Sequence, residues 1–166
     1  MIVFKAFGVP IPKGSMKAFM PPQGKFPIMT NDNTKTRPWM AIVKDAARQA
    51  VNSEVIPYSE AAIWIQIIFY LPRPKTLPKR IFWPTKKPDL DKLERAIFDA
   101  LKDVIWTDDS QVVDSHPRKF YTNESLMPHA LIAVGSMDES QQLRQFELAA
   151  RDAVGQLDLR QFGMGA

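Results

Sequence analysis

Apolar and polar positions alternate loosely from the second residue, so IVFKAFGV (2–9) reads as a strand. Pro10, Pro12 and Gly14 then break regular structure. MKAFM (16–20) and KFPIMT (25–30) flank PPQG, whose Pro and Gly supply turn geometry, and the pair predicts a hairpin. From Asn33 the period changes. TKTRPWMAIVKDAARQAVNS puts Trp39, Ile42, Val43, Ala46 and Ala50 on one helical face, with Pro38 in the first turn or marking its start. AIWIQIIFYL (62–71) is apolar almost throughout and predicts a strand central in a sheet.

PRPKTLPKRIFWPTKKP (72–88) carries five prolines, which exclude a helix or an inner strand and leave an ordered loop. A helix follows. Asp89 is its expected N-cap after Pro88, and Leu90, Leu93, Ile97 and Leu101 form its apolar stripe. VIW (104–106) is a short strand candidate. QVVDSHPRKFYTN (111–123) reads as a strand interrupted by Pro117, and ALIAVGSM (130–137) as another. A last amphipathic helix, capped by Asp138, is expected over 138–158, with a fraying tail. Helices and strands mix without a regular βαβ rhythm, so the expected class is α+β: one domain with a mixed β-sheet packed by helices. Residues 1–137 form its body and 138–166 a helical extension of the same domain.

Composition narrows the function. A chain of 166 residues suits one core. The absence of cysteine removes disulfides, thiolate metal sites and cysteine nucleophiles, and fits a reducing cytoplasm. MIVFKAFGVPIPKG lacks a signal peptide's apolar core, and AAIWIQIIFYLP (61–72) is too short to span a bilayer. No membrane role is expected. The net charge is +4, and its distribution says more than its size. No acid precedes Asp32, whereas Lys5, Lys13, Lys17 and Lys25 do; residues 72–88 hold six basic residues and no acid. Such a surface is either a solvated basic loop or a contact for a polyanion.

Against this background, KPDLDKLERAIFDALKDVIWTDDSQVVD (87–114) gathers seven aspartates. Asp89 and Asp91 fall beside a helix N-terminus, where the dipole favours negative charge. If VIW runs back along the helix, Asp108 and Asp109 return toward that end. A helix of this length is roughly 20 Å long and three strand residues recover only about half of it, so the connection at 102–104 must contribute. Three convergent carboxylates would make a hard oxygen site suited to Mg²⁺ or Mn²⁺. The structural alternative is that Asp89 only caps, Asp91 only complements the dipole, and Asp108–Asp109 only form a turn.

The run PDLDKLERAIFDALKDVIWTDDSQVVD resembles the signature of the RusA family of Holliday junction resolvases: Asp-x-Asp entering a helix, then Asp-Ala-Leu, an aromatic residue, Asp-Asp, a small residue, Gln and two valines. The resemblance is dense over 89–114 and looser at the N-terminal strand with GVPIPKG. It implies a homodimeric, Mg²⁺-dependent endonuclease, bacterial or prophage-encoded and cytoplasmic, that cuts four-way DNA junctions with paired nicks. Mn²⁺ is expected to substitute. Its catalytic and metal-binding acids fall on Asp89, Asp91 and Asp109. Two positions depart from the pattern. Lys92 stands where relatives often carry Asn, and Arg95 where they often carry Lys. Arginine keeps the charge but cannot accept a proton, so either the family cation acts by charge alone or Lys92 replaces it.

Lys13, Lys17, Lys79, Arg80, Lys86, Lys87 and Lys92 are the expected contacts to branched DNA. Asp99 either hydrogen-bonds a site residue or pairs with Arg95, and Asp108 either supports the site or forms a turn. His116 and His129 lack partners at ligand spacing and read as structural or surface residues. Trp83 and Phe82 are candidates to stack on bases, Phe26 rather for the core. The competing readings are a metal-dependent nuclease acting on flaps, forks or nonspecific duplex, and a non-catalytic DNA-binding protein.

Overall fold

The computed structural model describes residues 1–14, 34–78, 80–81, 83–122 and 126–137 in full, and the backbone of 16–19 and 28–31. The expected C-terminal helix, the PPQG turn, and the side chains of Lys17, Phe26, Lys79 and Phe82 lie outside the described residues. Along the chain come β1 (Ile2–Phe7), β2 (Met16–Phe19), β3 (Ile28–Asn31), α1 (Thr36–Val51), β4 (Ile63–Leu71), α2 (Leu90–Leu101), β5 (Val112–Tyr121) and β6 (His129–Ser136). The strands β1, β6, β4 and β5 form one sheet in that order, while β2 and β3 pair antiparallel as a separate ribbon. The fold is α+β, with a mixed sheet and two helices.

β4 is buried at all nine positions. It pairs antiparallel with β6 and parallel with β5. The parallel pair forces a crossover, and α2 supplies it, so one βαβ unit sits inside an otherwise antiparallel sheet. The odd-numbered residues of β4, from Ile63 to Leu71, share a core with Trp39, Val43 and Ala47 of α1 and Leu93, Ile97 and Leu101 of α2. On the opposite face Ile68 and Tyr70 pack with Phe120 and Leu131. There Trp64 lies flat over its register partner Gly135, where a Cβ would stand 2.7 Å from the indole ring. Only glycine admits that approach.

Three expectations are corrected. The buried face of α1 is Thr36, Trp39, Val43 and Ala47; Ile42 is 42% exposed and Ala50 is exposed, because the helix is turned toward α2 and β1 along the i, i+4 row. Pro38 does fall in the first turn, where its missing N–H would have no partner. Second, VIW is not a strand. The amides of Val104 and Ile105 both donate to the Leu101 carbonyl, and Asp103 adopts φ 62°, so the helix closes into a tight turn. Ile105 and Trp106 are apolar because they are fully buried beneath the helix end. Third, Pro117 does not interrupt β5, which runs unbroken from Val112 to Tyr121. β5 is at the sheet edge, where a proline is tolerated at a position whose N–H side faces away from the partner strand.

His129 is structural, as expected. Its ring stacks on Tyr70 with centroids 4.4 Å apart, and its Nδ1 lies 2.8 Å from the Met127 carbonyl oxygen. Burial, assisted by the Lys5 charge, lowers its pKa, and the Met127 carbonyl opposes that only in part. The unfolded chain therefore takes up this proton first as pH falls. Stability should hold above the unfolded histidine pKa of about 6.5 and decline as pH drops from there through the folded value. His129→Phe keeps the stacking and should flatten that decline. Urea midpoints measured between about pH 7.5 and 5 test it; parallel curves for the two proteins would contradict the assignment.

Candidate active site

α2 enters the fold at Asp89, whose backbone has the extended geometry of an N-cap (φ −72°, ψ 141°). Its carboxylate nevertheless makes no hydrogen bond to the helix. It turns instead toward Lys92, with Oδ2 3.4 Å from Nζ. Asp89 therefore holds the N-cap position without capping the helix through its side chain. Asp91, in the first turn, is exposed and has no hydrogen bond or ion pair among the described residues. Two carboxylates, one unpartnered and one held only by a half-exposed lysine, thus stand together at the positive end of the helix dipole.

Cations surround this end. Arg80, Lys86, Lys87 and Arg95 are exposed, and Arg95 pairs with neither Asp91 nor Asp99. Asp99 forms its ion pair with Lys13 instead. Lys13 also donates its backbone N–H to the Lys92 carbonyl (2.9 Å), and the preceding Pro12 carbonyl accepts from the Thr36 hydroxyl (2.9 Å). Lys13 and Asp99 therefore strap the Pro-rich segment after β1 onto α2. The basic loop is itself folded back by Arg73, which donates to the carbonyls of Ile81 (3.0 Å) and Pro78 (2.9 Å) and lies over the Tyr121 ring. Trp83 touches Phe120 at 5.3 Å between centroids yet remains 62% exposed.

The second group of acids lies elsewhere. Asp108 accepts from the Lys102 ammonium at 2.8 Å and from the Ser110 backbone N–H at 3.0 Å, closing a capping box with Gln111 over the single 3-10 turn Asp109–Gln111. The Lys102 hydrogen bond, followed by the Ser110 amide, holds the Asp108 carboxyl far below the usual carboxylate range. Asp108 is thus a turn and capping residue. Gln111 donates to the carbonyls of Tyr58 (3.0 Å) and Ala61 (3.1 Å), which ties this turn to the start of β4. Asp109 is half-buried, and its Oδ1 accepts from the indole N–H of Trp106 at 2.9 Å. Trp106 is wedged edge-on against Phe98 of α2.

These contacts put Asp109 beside the C-terminal end of α2. The helix has 12 residues, so about 18 Å separates its two ends. Sequence reasoning had let the chain return to the helix N-terminus through a strand; a turn replaces that strand and no return occurs. The chain brings Asp89 and Asp91 together and keeps Asp109 apart from them. No cluster of three metal-ligating acids or histidines occurs among the described residues. His116 pairs with Asp114 on β5 at 3.0 Å.

The family model for endodeoxyribonuclease RusA matches residues 10–134. That span includes both aspartate groups and the basic loop. The chain belongs to the RusA endodeoxyribonuclease family. It is also similar to the protein of Bacillus subtilis (strain 168) named uncharacterized protein YqaN, with 30% identity over 137 residues, 74% of this chain and 89% of that protein. RusA membership makes the chain an endonuclease that hydrolyses DNA, in place of the non-catalytic binding protein that composition allowed. Among the described residues no helix is long and apolar enough to cross a membrane.

Two contacts in this RusA chain escaped sequence reasoning. Lys119 of β5 reaches the loop before Asp89, donating to the carbonyls of Lys86 (3.1 Å) and Pro88 (2.9 Å). Trp106 holds Asp109. The second had a signal in the sequence, since an aromatic donor three residues before an acid suits a short turn; the first is a pairing of distant segments. Trp106→Phe keeps the packing on Phe98 and removes the indole N–H. It should lower unfolding free energy by about 1.5–3 kcal/mol, the scale of a hydrogen bond to a charged group. Asp109→Ala in the Trp106→Phe background should then add little. Urea unfolding of the two single variants and the double variant measures the coupling; strictly additive losses would show that the contact contributes nothing.

Proposed function

We propose that the chain is a Mg²⁺-dependent resolvase of four-way DNA junctions that acts as a two-fold homodimer. Each catalytic centre combines Asp89 and Asp91 of one protomer with Asp109 of the partner subunit. The observation that carries this reading is the pair at the entry of α2: an N-cap aspartate that does not cap, beside an aspartate without a described partner. The shared centre follows from the length of α2. Acids at its two ends cannot hold one ion within a protomer, whereas two protomers related by a two-fold axis can bring opposite ends of their helices together.

The donor chemistry fits the ion. Three aspartates supply hard oxygen ligands, and Asp89 and Asp109 each have one oxygen without a described partner. Mg²⁺, or Mn²⁺ in its place, would polarise the scissile phosphate and lower the pKa of a bound water. The protein's own groups do the rest. Arg80, Lys86 and Lys87 take the phosphate backbone of the branched DNA, and Lys92 shields Asp89 from the incoming phosphate. Arg95, one turn beyond Asp91, is placed to neutralise the phosphate by charge; it replaces the family lysine in that role and cannot act as a base. Such an enzyme works on cytoplasmic DNA. Two symmetric centres on one dimer match two equivalent strands of a junction, which is why paired nicks and symmetry go together.

Asp89→Asn, Asp91→Asn and Asp109→Asn should each abolish nicking of a synthetic four-way junction while junction binding without metal survives, since repulsion of phosphate falls. Mixing subunits tests the shared centre. In a dimer of Asp89→Asn with Asp109→Asn, one centre would lose both acids and the other would keep all three. Two inactive proteins should then regain single-strand nicking on mixing, without release of paired duplexes. Continued inactivity of mixtures shown by mass to exchange subunits would refute shared centres. Equal cutting of linear duplex and junction by the wild type would leave a nonspecific nuclease.

The basic loop has its own test. Lys86→Ala with Lys87→Ala should weaken binding to every DNA shape and reduce the slope of log K against log salt by roughly two. An unchanged slope would make both lysines ordinary surface residues.

A further inference from the structure

Among the described residues, the loop's own backbone hydrogen bonds stop short of 86–88, the stretch that leads into α2. Pro84 and Pro88 have no N–H, and the last backbone hydrogen bond within the loop is from Thr85 to the Trp83 carbonyl at 3.0 Å. Among the described residues the only hydrogen bonds that reach the backbone of 86–88 come from one side chain, the ammonium of Lys119, which spans the carbonyls of Lys86 and Pro88. The Pro88 carbonyl belongs to the peptide that continues into Asp89. Lys119 itself sits on a buried scaffold, since its register partner Phe69 on β4 is fully buried.

Its orientation follows from the sheet. Ser115, Pro117 and Lys119 stand opposite Ile65, Ile67 and Phe69, the β4 residues that face the helices. Ser115 makes its hydrogen bond to Glu94 in the second turn of α2. Lys119 lies two strand repeats farther along the same face and meets the chain just before the helix starts. β5 therefore runs beside α2 and holds it at two heights, with the second contact on the loop rather than on the helix.

We infer that Lys119 is a positioning residue for Asp89: by holding the two carbonyls on either side of Lys87–Pro88, it fixes the direction in which the Asp89 carboxylate leaves the helix. This deepens the proposed function and rests on Asp89 being a metal ligand. An N-cap aspartate left to itself turns its side chain onto the free amides of its own helix. Here the entry is held from behind, and the carboxylate stays off those amides. Lys119 needs no contact with DNA or metal to act. Partners of this kind, one step behind a ligand, typically change metal affinity or activity by about 10–100-fold when removed.

The test uses the full-length protein with Mn²⁺ as the probe. Mn²⁺ binding is followed by electron paramagnetic resonance without DNA, beside the Mg²⁺ concentration that half-activates junction nicking. Lys119→Met should weaken Mn²⁺ binding and raise the Mg²⁺ midpoint, each by roughly 10–100-fold. Junction affinity in EDTA, its salt slope and the overall fold should stay as in the wild type. Lys119→Gln, with one amide donor, should fall between the two, and carries the same test should the Met variant not fold. If Lys119 acts through Asp89, adding Lys119→Met to Asp89→Asn should weaken Mn²⁺ binding no further, whereas a general structural role would add its loss. Wild-type Mn²⁺ affinity in Lys119→Met, together with impaired affinity in Asp89→Asn, would overturn the inference alone. Wild-type affinity in both variants would overturn the reading of Asp89 as a ligand, and the inference with it. Weaker junction binding in EDTA with a shallower salt slope would make Lys119 a phosphate contact instead of a positioning residue.

Discussion

α2 lies along β5 and is anchored at both ends, and the layout of the site depends on that. At its C-terminal end Lys102 is bonded to Asp108 and Trp106 is wedged against Phe98. Near its N-terminal end Ser115 holds Glu94, Lys119 holds the entering loop, and the Lys13 backbone N–H donates to the Lys92 carbonyl, while the Lys13 ammonium reaches on to Asp99 in the last turn. Between these anchors the buried residues Leu93, Ala96, Ile97, Ala100 and Leu101 are packed into the core. Swinging either end would expose that apolar face, at a cost of roughly 1.5–3 kcal/mol for each large side chain uncovered. α2 is therefore a spacer of fixed length, and the acids at its two ends inherit a fixed separation.

Charge is arranged along the same axis. At the entry of α2, exposed cations surround two acids, and the helix dipole adds positive potential. At its exit, Asp103, Asp108 and Asp109 gather with Lys102 as the near cation, raising its pKa through the Asp108 hydrogen bond. Neither end alone has both several exposed cations and three acids. In the proposed enzyme the entry takes the phosphate, and the exit offers a carboxylate held by an indole at a half-buried position. In the proposed dimer each end supplies what the other lacks. The two acids of the exit have separate tasks: Asp108 uses both oxygens to close a turn, which leaves Asp109 as the acid with an oxygen to give.

Where the physics is local, the sequence was legible. The apolar run of β4 declared a central strand, and the stripe from Leu90 to Leu101 declared a helix with Asp89 at its cap. The α+β class followed from their mixture. The α1 face was misjudged at Ile42 and Ala50 because hydrophobicity alone does not say how far a helix rotates when it must meet both a strand and a second helix. VIW looked like a strand because burial beneath a helix end and burial in a sheet select the same residues. Pro117 looked like a break because the sequence does not say which strand lies at an edge. The candidate acids were legible one by one, but their distribution was not. That depended on a three-residue connection being a turn, and Asp103 in a left-handed conformation, where non-glycine residues are uncommon, gives little warning in sequence.

The proposed division of the site between the two ends of α2 would have a consequence for control. If the ligands came from one protomer, a monomer could nick any DNA it met, and dimerisation would only raise the chance of a second cut. With ligands shared across the two-fold axis, assembly comes before chemistry. Both centres then appear together, because the symmetry that completes one completes the other. Coupling of the two incisions needs no signal passing between distant sites. In the proposed dimer it would follow from α2 being too long for its own acids to meet, and from anchors at both ends that keep it from bending toward them.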